Sequence, residues 1–72
     1  MQVWVLIIDN VDDFPYPIVF SDQLSAEIEA TDLASGHDEY HVEYERIASD
    51  HQQWARRGES YYVNLHEVTV RE

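Results

Sequence analysis

The stretch Val3-Trp4-Val5-Leu6-Ile7-Ile8, closed by Asp9 and Asn10, decides how the rest of the chain is read. In an extended strand Val3, Val5 and Ile7 point to one face, and Trp4, Leu6 and Ile8 to the other. Apolar residues on both faces predict a central strand covered on both sides. The run is short and rich in β-branched and aromatic side chains, which favours strand over buried helix.

Outward from that strand, Asp-Asn-Val-Asp-Asp at residues 9–13 is turn-forming. Pro15 and Pro17 predict that regular pairing is interrupted through residues 14–17, with Ile18-Val19-Phe20 resuming as a short antiparallel edge strand. Asp9, Asp12 and Asp13 invite a calcium-loop reading. The segment lacks the glycine at the sharp turn and the late bidentate glutamate, and it follows a strand rather than a helix. A solvated acidic turn is the better reading.

Ser21 suits an N-cap and Gly36 a C′ position, so residues 22–35 are predicted to form one long helix. Leu24 and Ile28, continued by Thr31, share a face and are expected to pack on the sheet. Leu33 falls on the opposite side of that stripe. Tyr40-His41-Val42-Glu43-Tyr44-Glu45 alternates as a half-buried strand, with Tyr40, Val42 and Tyr44 on one side. Residues 51–57 around Trp54 read as a short helical turn between Ser49 or Asp50 and Gly58. Residues 61–71 are strand-like, but Tyr61, Val63 and Leu65 differ in parity from Val68 and Val70. A β-bulge near His66-Glu67 would put both sets on one side.

The predicted fold is α+β. A small, mainly antiparallel sheet of three to four strands, ordered second-first-third-fourth, carries the long helix on one face. The turn near Trp54, or a second subunit, covers the other. Residues 1–72 leave room for one domain. With no cysteine to cross-link so small a core, a homodimer is expected. No run approaches the roughly 18 apolar residues of a membrane span, and Met1-Gln2-Val3 lacks the basic start of a signal peptide. A soluble cytoplasmic protein is the expectation.

Charge is the strongest compositional feature. The net charge is −11; residues 1–45 hold eleven carboxylates and no lysine or arginine, whereas residues 46–72 hold four of each sign. Such a block argues against nucleic acid or anionic membrane as a direct partner, because phosphate contacts need cations. It permits a basic protein partner, a cation, or solubility at high salt.

Val3-Trp4-Val5-Leu6, Ile18-Val19-Phe20-Ser21 opening a helix with Ala26, and Tyr40-His41-Val42-Glu43-Tyr44-Glu45 together resemble a class of small β-β-α-β proteins of bacteria and their phages, largely uncharacterised. The likeness covers residues 2–47 and carries no catalytic residues. It implies a phage or mobile-element origin.

Sites for chemistry are sparse. His37 and His41 entering a strand would lie about 13 Å apart, too far to share a zinc ion. There is no nucleophile elbow, and the only glycines, Gly36 and Gly58, make no phosphate loop. No enzymatic activity, metal or cofactor is expected. The function read from the sequence is a small acidic binding protein, acting as a phage-encoded inhibitor that mimics nucleic acid on a basic host protein. Asp12, Asp13, Asp38, Glu39, Glu43 and Glu45 are the candidate partner-binding residues. Trp54 is either an interface anchor or, preferably, a plug on the sheet's second face, with Arg56 and Arg57 pairing Glu43, Glu45 or Glu59. The alternative is a generic intracellular interaction or assembly module, from a high-salt organism, whose acids serve solubility.

Overall fold

The computed structural model describes residues 1–10 and 13–71. Its elements are strands β1 (Gln2–Asn10) and β2 (Asp13–Phe20), helix α1 (Gln23–Ser35), and strands β3 (Val42–Ala48), β4 (His51–Arg56) and β5 (Tyr61–Thr69). The architecture is α+β. Among the described residues, five antiparallel strands make one sheet in the order β2-β1-β5-β4-β3.

β1 lies inside the sheet, as its two apolar faces require. Its second neighbour is the last strand rather than the third, which corrects the expected order. Leu6 pairs with Leu65 and Ile8 with Val63, so the two strands that carry the fully buried Leu6, Val63 and Leu65 lie side by side inside the sheet. Burying each of these side chains stabilises the fold by about 1.5–3 kcal/mol. The mostly polar β3 is left to the far edge, where water can reach it.

The segment around Trp54 is strand β4, not a helical turn, which raises the strand count to five. It lies between β3 and β5, and main-chain bonding on both sides outweighs the weak strand preference of Gln and Ala. Trp54 is only 5% exposed and belongs to the core beneath the helix, not to the sheet's other face. Gln52 is buried two residues earlier, and its Oε1 accepts from the Tyr44 hydroxyl at 2.8 Å.

Two further expectations are corrected. β2 runs on through residues 14–17, and Tyr16 and Pro17 pair regularly with Ile8 and Ile7; the expected interruption is confined to Phe14-Pro15, where the register shifts between Ile8 and Asn10. As an edge strand it can present a proline outward without losing a ladder bond. β5 also pairs with β1 in unbroken register, with no bulge at His66-Glu67. Val68 simply stays on the same face as Val3, its partner.

Helix α1 leaves one edge strand and delivers the chain to the other, so it crosses one face of the sheet and touches all five strands. Asp22, one residue later than expected, is its N-cap. The Asp22 carboxylate accepts from the Ser25 amide at 2.8 Å and from the Ser25 hydroxyl at 2.9 Å. These bonds hold its pKa below the ordinary carboxylate value. Gly36 ends the helix with φ 54°, and a Cβ there would come within 2.7 Å of the Tyr40 ring, so both conformation and space demand glycine.

The helix presents the opposite face from the one expected. Ala26, Ala30 and Ala34 are fully buried and Leu33 packs beside them, while Leu24 and Ile28 are 65% and 61% exposed. Small side chains at i, i+4 and i+8 let the helix backbone approach the sheet closely. Among the described residues, no helix is long and apolar enough to cross a membrane.

Candidate functional site

Strand alternation gives the sheet two different faces. Trp4, Leu6, Ile8, Trp54, Val63 and Leu65 face α1. The opposite face has no covering element among the described residues. Strand register sets its side chains in rows: Val19, Val5, His66 and His51 form one, and Pro17, Ile7, Asn64, Gln53 and Glu45 the next.

The His51 and His66 rings stack across β4 and β5 with centroids 4.1 Å apart. Asn64 Oδ1 lies 2.9 Å from His51 Nε2 and accepts from Gln53 Nε2 at 3.1 Å, which places the His51 proton on Nε2. Burial holds the His66 pKa below its ordinary value, His51 adds to the effect, and Asp50 opposes it. Unfolded His66 takes up a proton near its ordinary value of 6.5, whereas folded His66 resists it. The corresponding stability is therefore present above that pH and lost as pH falls through it toward the folded value. His66→Gln is expected to flatten the fall in urea midpoint between about pH 7 and 5. A slope identical to that of the parent protein would refute the assignment.

The seven residues expected to bind a partner do not form one surface. Asp12 lies outside the described residues, and Asp13 opens β2. Glu43 and Glu45 are exposed on the sheet's uncovered side. There they line a cleft of about 630 Å³ together with Tyr62, Arg57 and Glu59. Asp38 and Glu39 follow the helix, in a turn where both His37 and Asp38 have left-handed backbone (φ 60° and 68°). Trp54, being in the core, is not presented to a partner.

The two neighbouring arginines diverge. Arg57 pairs with Glu43 at 3.6 Å, both side chains well exposed, a contact of small energetic weight. Arg56 reaches Glu59 at 3.8 Å, but its main role lies elsewhere. It donates from Nε to the Ala34 carbonyl at 2.9 Å and from Nη2 to the Leu33 carbonyl at 3.0 Å. Its guanidinium also sits between the Tyr40 and Tyr61 rings, 4.0 and 3.7 Å from their centroids. A cation thus closes the negative end of the helix dipole.

A surface not anticipated from the sequence lies on the outward side of α1. Leu24 and Ile28 form a shallow groove of about 510 Å³ with Glu27, Thr31, Asp32 and Asp38, and none of the residues lining it is basic. The missed signal was the alanine stripe with Leu33, which marks the buried face and leaves the larger residues outside. Among the described residues, no three His, Asp or Glu side chains are grouped to hold a metal ion. Comparison with protein-family models, curated protein sequences and solved structures gives no match.

Proposed function

We propose that this chain is a small, non-enzymatic binding protein that docks on a basic surface of another protein through the outer side of α1, in competition with nucleic acid. The observation that carries the reading is the pairing of Leu24 and Ile28, both largely exposed, with Glu27, Asp32 and Asp38 around them and no cation among the lining residues. Isolated exposed ion pairs contribute only about 0–1 kcal/mol, so an acidic surface needs apolar anchors to hold a partner. Leu24 and Ile28 fill the role that Trp54, buried, does not. Glu27 and Asp32 stand about 7.5 Å apart along the helix axis, ordered charge of the kind a nucleic-acid-binding surface accepts. In this reading the chain acts as an inhibitor by nucleic-acid mimicry, the role of a phage protein directed at a host's defence or nucleic-acid-binding machinery.

Capture from bacterial lysate at about 50 and 300 mM salt, followed by displacement with duplex DNA or RNA, tests the reading. Bound proteins should be basic, held more weakly at the higher salt, and released by nucleic acid. Leu24→Ala and Ile28→Ala should each weaken binding about tenfold, through faster dissociation. Glu27→Lys with Asp32→Lys should instead slow association. If the captured proteins are not basic, or nucleic acid fails to displace the chain, the mimic reading is wrong and a generic interaction module replaces it.

A further inference from the structure

The sheet face away from α1 carries an apolar surface that the helix cannot reach. Val3, Val5 and Ile7 lie along β1, flanked by Val19 and Pro17 on β2 and by Val68 on β5. Val19 is 63% exposed and Val68 40%. Such a concentration of β-branched residues on one sheet face is unusual for a surface meant to stay in water.

We propose that two copies of this chain associate face to face through this sheet surface, Val5, Ile7 and Val19 of each forming the centre of a two-fold interface. This goes beyond the acidic helix surface and uses the opposite side of the molecule. Charge supports a second copy as the occupant. The carboxylates described on or beside this face are Asp9 at the end of β1, Glu43 and Glu45 on the edge strand β3, Glu59 in the cleft beside them and Asp50 in the turn near His66, so they rim the apolar rows of β1 and β2 rather than interrupt them. The helix carboxylates of both copies point away from the contact. A basic partner would find its complement on α1, whereas this nearly neutral patch matches its own copy.

Size supports the same occupant. The four strands inside the carboxylate rim, about 4.8 Å apart and each contributing about 7 residues at roughly 3.3 Å, present a face of about 440 Å² in plan. Two such faces remove about 900 Å² in plan and more in accessible surface, the scale on which stable interfaces begin. Sheets meeting in this way pack about 10 Å apart with their strands within about 30°. Three of the polar side chains on this face already bond to one another: Asn64 Oδ1 accepts from His51 and Gln53. Their desolvation is therefore less costly than that of unpaired groups.

Sedimentation equilibrium on the full chain provides the test, with circular dichroism to confirm that each variant is folded. The parent protein should sediment at twice 8.5 kDa. The dimer should tighten when salt is raised from about 0.1 to 0.5 M, because screening relieves the repulsion between two acidic molecules. That response is opposite in sign to the one expected of the helix surface toward a basic partner. Val19→Glu and Val68→Glu, both at exposed sites, should each raise the dissociation constant at least tenfold. Leu24→Glu, on α1, should leave it unchanged. A monomer at about 300 µM, corresponding to association weaker than roughly −5 kcal/mol, overturns the proposal. So does a dimer indifferent to both valine substitutions, or one broken by Leu24→Glu. Lost partner binding with an intact dimer would refute the helix-surface function alone.

Discussion

Arg56→Ala is expected to lower the stability of the fold by about 3 kcal/mol, through loss of two charge-assisted bonds and two ring contacts. The guanidinium joins three separate pieces of structure. It donates to the Leu33 and Ala34 carbonyls at the end of α1, stacks on Tyr40 in the following turn, and stacks on Tyr61 at the start of β5. Its side chain is only 16% exposed, so these bonds are little weakened by water. The individual contributions do not add fully, because removing the cation releases all of them at once. Thermal melting should show a midpoint lower by roughly 12–24 °C for a chain of this length. Arg56→Lys should recover less than half of the loss: an ammonium keeps the charge but lacks the planar fork that satisfies two carbonyls while lying between two rings. A loss below about 1 kcal/mol for the alanine variant would show that the helix end is held by other means.

Ala30→Leu is expected to cost about 2 kcal/mol, and Leu24→Ala less than about 0.5 kcal/mol, reversing the usual ranking of those substitutions. Ala30 has no exposed surface and sits between Ala26 and Ala34 on the side of α1 that meets the core of Leu6, Trp54, Val63 and Leu65. A leucine there must push the helix off the sheet or force its neighbours out of their rotamers. Alanine and leucine have similar helix preferences, so the effect isolates packing. Urea midpoints of the two variants measure it. A neutral Ala30→Leu beside a costly Leu24→Ala would mean that α1 packs through Leu24 and Ile28 after all.

Much of the local structure was legible in the residues themselves. The apolar run in residues 3–8 is an internal strand, and Ser21 and Gly36 bound the helix to within a residue. Each signal is contained in a few consecutive residues, where side-chain type acts on its own backbone. β4 was not legible in this way. His51-Gln52-Gln53-Trp54-Ala55-Arg56 has little hydropathy contrast, because the inward residues Gln52 and Arg56 are polar and gain their partners, Tyr44 and the helix end, only in the folded chain.

The candidate surfaces divide along the same line. By itself, the sequence determined that the chain is strongly acidic, that eleven of its fifteen acids precede its first arginine, and that one strand is apolar on both sides. Only the tertiary structure decided which apolar residues remain outside. Leu24 and Ile28 are a sound core stripe by periodicity, yet the alanine stripe allows closer approach to the sheet and takes the inner position. Trp54 is equally suited by type to an interface, but pairing between β4 and β5 sets it opposite Val63, under the helix. The physical reason is that burial is a competition among faces for a limited covering area. One helix on a five-stranded sheet can cover only one side, and its outcome depends on contacts between residues far apart in the chain.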